Sequence, residues 1–475
     1  MNQFMSILTK AYLEFLQLSN IYSQVYLQAF EKAVAEERKE DVVGEVTTTT
    51  ALSAGNIGIL SPNQIESTYN RWLKNVDKEL EKELKSEYFI SVLSRYTHSL
   101  LELRSFSEKM GYPINYLDWM FDWYVRSLMV FSLIRKESHL APFDVAYRKG
   151  KARLLHYHNN DQEGTTSSFT TVEKRQQHQQ PLLIIYAPIN TFHIMDLNPR
   201  RSIVRDLLTT GGLDIYLLDW GYPDWSDNNL SLEDYLGYVA DAIKVIKDQT
   251  HADKASILGY CWGGIFALIH SALHPEEVRN LVLMAVPIDF DKDDTILTKW
   301  LKAIDVDSMM NEFGHMDGHV LDLGFLMRNP PRYGFNKYLK FFQRFHDKEF
   351  VDTFIDVERW LYDTPPIPGT LFKQIINDCY SKNLLISDGK MEVAYGESKK
   401  MQKVNVQKNI TMPVLSVIAQ QDDLVSPASS IAINDHIPSK DKSISGNPGG
   451  HVALCISNTA HKKLWPEVAK WLLSR

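Results

Sequence analysis

The sequence predicts an α/β fold: a mostly parallel sheet with helices on both faces, an inserted and mainly helical cap, and a helical N-terminal extension. Three observations lead there. Short apolar runs alternate with helix-period segments from Pro181 onward, a glycine-flanked turn at Gly259 to Gly264 joins a strand to a helix, and a long helical stretch interrupts the alternation before the strand at 413–419.

Whole-chain properties fit such a fold. At 475 residues, with 44% apolar and 23% charged residues, the chain can bury a large core. A formal charge of −8 gives no footprint for DNA or RNA, so no nucleic-acid partner is expected. The start, MNQFMSILTKAYLEFLQLSN, has no basic opening and no clean apolar core, and reads as an amphipathic helix and not a signal peptide. No apolar run approaches the roughly 18–20 residues that cross a bilayer, so no transmembrane segment is expected. Cys261, Cys379 and Cys455 lack paired spacing and suit a reducing compartment, with the cytoplasm as the default.

Residues 1–140 form the extension. Large apolar residues recur at helical spacing to about residue 40, the Thr/Ser/Gly-rich stretch 45–62 reads as a linker, and 64–136 is again helical and dense in aromatics. The sheet begins with a hairpin, FDVAYRKGKARLLHYH (143–158), with Lys149-Gly150 as its turn and with His156 and His158 exposed. Residues 159–180 are polar and read as an exposed loop.

Strand PLLIIYAPI (181–189), a helix over 201–208, strand DIYLLDW (214–220), a helix over 232–249, strand ASILGY (255–260), a helix from Gly263 and strand NLVLMAVPI (280–288) then follow in βα order. Ser231 with Asp234 reads as a capping box for the second helix. Residues 291–409 are too long for a loop and read as the cap, over the C-terminal edge of a core made of 141–290 and 410–475. The loop DWGYPDW (219–225) leaves a strand's C-terminal end, where its aromatics line either the core or the mouth of a site.

Chemistry concentrates at Gly259-Tyr260-Cys261-Trp262-Gly263-Gly264, a G-x-nucleophile-x-G elbow with cysteine as the nucleophile. This refines the fold to the α/β-hydrolase type. Small residues allow the sharp turn, and the helix N-terminus behind it favours a thiolate and supplies an oxyanion donor. The Trp262 backbone N–H is the first candidate donor; that of Ile189 or Asn190 is the second. An acid and a histidine follow in the order this fold requires: Asp422, after strand PVLSVIA and beside its rival Asp423, and His451 in PGGHVAL. The expected triad is Cys261, Asp422, His451. His315 and His319 have i, i+4 spacing but no third ligand, and no Walker or dinucleotide motif is present, so neither metal nor cofactor is expected.

From about Phe143 to Arg475 the sequence resembles the catalytic subunit of polyhydroxyalkanoate synthases of the two-subunit, class III type. The segments that carry the likeness include PLLIIYAPIN, MDLNPRRSIVRDLL, DIYLLDWGYPDW, GYCWGG, SALHPEEVRNLVLMAVPIDF, ERWLYDTPPIPGTLFKQ, PVLSVIAQQDDLVSPASS and PGGHVALCIS. The resemblance implies a Cys-Asp-His triad at Cys261, Asp422 and His451, a 3-hydroxyacyl coenzyme A substrate, a growing polyester chain and an enzyme at the surface of polymer granules. A homo-oligomer, or association with a helical partner subunit, is implied too. Two departures stand out. Asp423 replaces the family's usual histidine in Asp-His-x-Val, and residues 1–140 exceed the usual catalytic subunit, although 86–113 is faintly similar to the helical partner. The alternatives are an acyl-CoA thioesterase or esterase of the same fold, and a non-catalytic granule scaffold.

Overall fold

Eight strands hydrogen-bond into one sheet: β1 (Phe143–Lys149), β2 (Ala152–Tyr157), β3 (Gln180–Ile185), β4 (Leu213–Asp219), β5 (Ala255–Tyr260), β6 (Val278–Met284), β7 (Val414–Ala419) and β8 (Lys442–Asn447). Their order across the sheet is β1-β2-β4-β3-β5-β6-β7-β8. β2 runs antiparallel to both β1 and β4, and every pairing from β4 to β8 is parallel. This computed structural model describes residues 140–158, 179–329, 347–395 and 400–475, with scattered residues between 28 and 102 and between 332 and 344. The expected linker and the expected exposed loop up to residue 178 lie outside the described residues. So does most of the N-terminal extension, whose described positions between 75 and 102 are helical except Ser86.

The central strands are continuous apolar runs because helices cover both faces. β3, β4 and β5 are buried along their whole length. The crossover helices are α1 (Ile203–Thr210), α2 (Leu232–Thr250) and α3 (Trp262–Leu273). Ser202 caps α1 by accepting from the Arg205 N–H, while Ser231 and Asp234 form the expected reciprocal capping box at α2. α1 therefore starts two residues later than its sequence pattern suggests, because Arg201 and Ser202 are extended. β6 also stops short of its apolar run: the chain turns at Ala285, whose φ is 46°.

Two details of the hairpin differ from expectation. Lys149 pairs with Ala152, so the two-residue turn is Gly150-Lys151, with Gly150 supplying a φ of 56°. His156 is not an exposed strand residue. It stacks on Tyr216, ring centroids 4.2 Å apart, and its Nε2 lies 2.6 Å from Asp214 on β4, whereas His158 pairs with Asp144 near solvent.

Between β6 and β7 the chain leaves the sheet. This insertion includes α4 (Ile296–Ala303), α5 (Val306–Phe313), α6 (Lys348–Leu361) and α7 (Gly369–Gln374), the last continuing as a π-helical turn through Ser381. It also contains an antiparallel hairpin, Met391–Tyr395 with Lys400–Val404, inside a stretch read from sequence as mainly helical. The chain divides into two compact units, one comprising 1–126 with 325–343 and the other 127–324 with 344–475. The sheet and everything described below belong to the second. Among the described residues, no helix is long and apolar enough to cross a membrane.

Candidate active site

β5 ends at Tyr260, and Cys261 follows with φ 52° and ψ −127°, a conformation that L-residues avoid unless their surroundings impose it. Three glycines impose it here. A Cβ on Gly259 would sit 2.4 Å from the Gly264 Cα, one on Gly263 2.2 Å from the Ile185 carbonyl oxygen, and one on Gly264 2.0 Å from a Val286 methyl. Strand and helix can close on each other only if these positions stay bare. The Cys261 N–H donates to the Met284 carbonyl at 2.9 Å, anchoring the turn to β6. Cys261 is partly exposed, while Cys379 and Cys455 are buried and their thiols are pushed up by that burial. Trp262 opens α3, so its amide has no acceptor within the helix.

The other two residues come from the ends of β7 and β8. Asp422 lies just beyond β7, where its Oδ1 accepts from the N–H groups of Leu424 (2.9 Å) and Val425 (3.1 Å). Its Oδ2 lies 2.7 Å from His451 Nδ1. The two loops are tied together: Gln421 N–H donates to the Gly449 carbonyl, and Gly449 N–H donates back to the Gln421 side chain. Both side chains of the pair are nearly sealed from solvent, at 6% for His451 and 2% for Asp422.

Burial alone would lower the His451 pKa. The negative charge of Asp422, and then Cys261 on its other side, outweigh that and push it up to about 10, each also through a hydrogen bond. The imidazole thus lies between the carboxylate and the sulfur. Tyr260 stacks on its face, centroids 5.0 Å apart and planes at 28°.

Sequence reasoning named Cys261, Asp422 and His451, and the fold brings all three to one edge of the sheet. Of the two adjacent acids, Asp422 is bonded to His451. Ile189 and Asn190 follow β3, which pairs with β5, so their loop rises beside the elbow. His315 sits in a short strand with its ring edge-on to Trp225, and the His319 side chain lies outside what is described. In the 219–225 loop both readings find a residue: Trp220 is core at 4% exposure, whereas Tyr222 and Trp225 are more than half exposed.

A family model for the α/β-hydrolase fold matches residues 180–455. The chain is 38% identical over 296 residues to the poly(3-hydroxyalkanoate) polymerase subunit PhaC of Allochromatium vinosum, covering 62% of this chain and 81% of that one. It is also 38% identical over 303 residues to the PhaC subunit of a Synechocystis species, covering 62% and 78%. This chain belongs to the poly(3-hydroxyalkanoate) polymerase family. It is a polyhydroxyalkanoate synthase, an acyltransferase on an α/β-hydrolase fold. A third relative, PhaC of Haloferax mediterranei, is 33% identical over 337 residues, covering 70% of this chain and 64% of that one.

In this synthase, some neighbours of the site carried no sequence signal. Trp262 donates its indole N–H to the Tyr380 hydroxyl at 3.0 Å, and Phe372 packs near the same indole. Tyr380 lies on the π-helical turn of the insertion, more than a hundred residues from the elbow. The Tyr260 stack was equally hidden, because its partner ring is brought in by the loop after β8.

Proposed function

We propose that this synthase polymerises 3-hydroxyacyl coenzyme A, of the short-chain 3-hydroxybutyryl class, through a covalent acyl-enzyme on Cys261. The observation that carries the proposal is the placement of His451 beside the elbow that presents Cys261, its Nδ1 2.7 Å from the Asp422 carboxylate. In the first half-reaction the Cys261 sulfur attacks the thioester carbonyl, with its proton on His451. The N–H groups of Trp262 and Ile189 receive the negative charge on the carbonyl oxygen. The bond to the coenzyme A sulfur then breaks, and that thiolate leaves with the imidazolium proton.

Thioester exchange leaves the acyl group activated. In the second half-reaction a 3-hydroxyl oxygen attacks the Cys261 thioester while His451 takes its proton, giving an ester and returning the thiol. Asp422 keeps the imidazole in the tautomer that both steps need. Water competes with the hydroxyl, and the insertion, through Tyr380 against Trp262, helps to screen the elbow from it. The proposed setting is the surface of a cytoplasmic polymer granule, with the aromatic-rich segment 1–140 mediating association with that surface, a second copy or a helical partner subunit.

Incubation with 3-hydroxybutyryl coenzyme A, following coenzyme A release and polymer together, tests the reading. Wild type should yield both, and a folded Cys261→Ala variant neither. Free 3-hydroxy acid in place of polymer would make the enzyme a thioesterase, and normal release by Cys261→Ala would refute the acyl-enzyme.

A further inference from the structure

Asn190 is the second non-glycine residue near the elbow with a left-handed backbone, at φ 58°. No glycine packing explains it. Its side chain is buried and spends its amide hydrogens on the far end of α6, donating to the Thr364 hydroxyl at 2.5 Å and to the carbonyls of Leu361 at 2.9 Å and Trp360 at 3.3 Å. The connection is returned, because the Trp360 indole N–H donates to the Thr191 carbonyl at 2.8 Å. Thr364 passes the chain on. Its hydroxyl accepts from Asn190 and lies 2.6 Å from Asp322 Oδ1, a buried carboxylate whose other oxygen has no partner among the described residues. A hydrogen-bond chain ending on a buried carboxyl group polarises each bond along it.

The backbone being fixed continues from the strand that pairs with the one leading to Cys261. The carbonyl end of β3 lies against Gly263, so closely that a single Cβ there would overlap the Ile185 oxygen, and the next few residues must pass beside Cys261. The amides of Ile189 and Asn190 are therefore in the stretch whose direction the Asn190 side chain sets.

We infer that Asn190 is a positioning residue: clamped by Thr364 and the end of α6, it holds the loop after β3 so that its N–H stabilises the oxyanion formed on attack by Cys261. In this scheme the insertion completes the acyl-transfer site as well as covering it. The inference rests on the acyl-enzyme reading above, and its test separates the two.

The test compares a reaction that forms an oxyanion with one that does not. Alkylation of Cys261 by iodoacetamide is a displacement at carbon with no carbonyl to stabilise, whereas turnover of 3-hydroxybutyryl coenzyme A needs the donor. Asn190→Ala should lower kcat by about 10²-fold, the usual cost of losing an oxyanion donor, with KM within about threefold and the alkylation rate within about twofold of wild type. Turnover within threefold of wild type, or alkylation falling in parallel with turnover, would overturn the assignment. Should Asn190→Ala fail to fold, Thr364→Val decides: kcat should drop about tenfold, the worth of one hydrogen bond, and Thr364→Ser should restore it. A silent Thr364→Val, or one that Ser does not rescue, overturns the clamp. If Cys261→Ala still turns over, the acyl-enzyme itself has failed; if Cys261→Ala is dead and Asn190→Ala is normal, only the role of Asn190 has.

Discussion

Cys261 and Asn190 are both held in left-handed backbone at the ends of neighbouring parallel strands, by opposite means. Cys261 is held locally, by Gly259, Gly263 and Gly264 and a single backbone bond to β6. Asn190 is held at long range, by a side chain bonded to residues about 170 positions later. The first arrangement is rigid as soon as strand and helix pack. The second depends on the insertion being in place, so under the proposed mechanism the elbow, with Cys261 and the Trp262 N–H, can be formed while the second donor loop is not. The difference separates making a reactive thiol from using it.

Several changes would break or sharpen that contrast. Gly263→Ala should have the largest effect, since the new methyl meets backbone at 2.2 Å with no flexible end to move aside. The expected result is loss of both turnover and Cys261 alkylation, read as inactive or insoluble protein, whereas Asn190→Ala keeps its alkylation. A Gly263→Ala enzyme with near-normal turnover would mean that the elbow is not held by glycine packing. Next comes the acid. Asp422→Asn should cost up to about 10⁴ in rate because the imidazole adopts the wrong tautomer, while Asp423→Asn costs about tenfold or less. Steady-state rates, with folding checked by circular dichroism, decide it, and the reverse ranking would assign the acid to Asp423.

The smallest effect lies in the pH profile. With His451 raised to about 10, the imidazolium that protonates the leaving coenzyme A persists well above neutrality, so kcat/KM should fall only as pH approaches about 10. Asp422 is the chief group raising it. Residual activity of Asp422→Asn should therefore lose its alkaline limb at lower pH, toward the ordinary histidine value near 6.5. An unshifted limb would show that His451 is not the titrating group. The same shift has a stability sign: the His451 contribution is fully present below about pH 6.5 and is lost as pH rises through about 10.

What the sequence revealed follows the same division. The strand and helix order, the capping box at Ser231, the elbow turn and the pairing of Asp422 with His451 were legible because each depends on spacing within a few residues, or on strand order that the alternation already dictates. The true hairpin turn and the start of α1 were missed by one or two residues, where neighbouring conformations differ little in sequence cost. The pairing of His156 with Asp214, the Tyr260 stack on His451, Tyr380 under Trp262 and the Asn190 clamp were not legible. Each depends on which distant segment packs alongside, and a single sequence carries no record of that. The hairpin at 391–404 was hidden differently: its alternation is short and sits inside a helical context.

The tie between the Asp422 and His451 loops also has a consequence for how the protein is made. Cys261 emerges from the ribosome with its glycines and can take up its turn early, but its base follows roughly 190 residues later, about 10–40 s at ordinary elongation rates. Throughout that interval the nascent chain carries the elbow without His451, and the last two parallel strands must dock before the proposed base reaches it. Under the proposed mechanism, polyester synthesis cannot start on an unfinished chain.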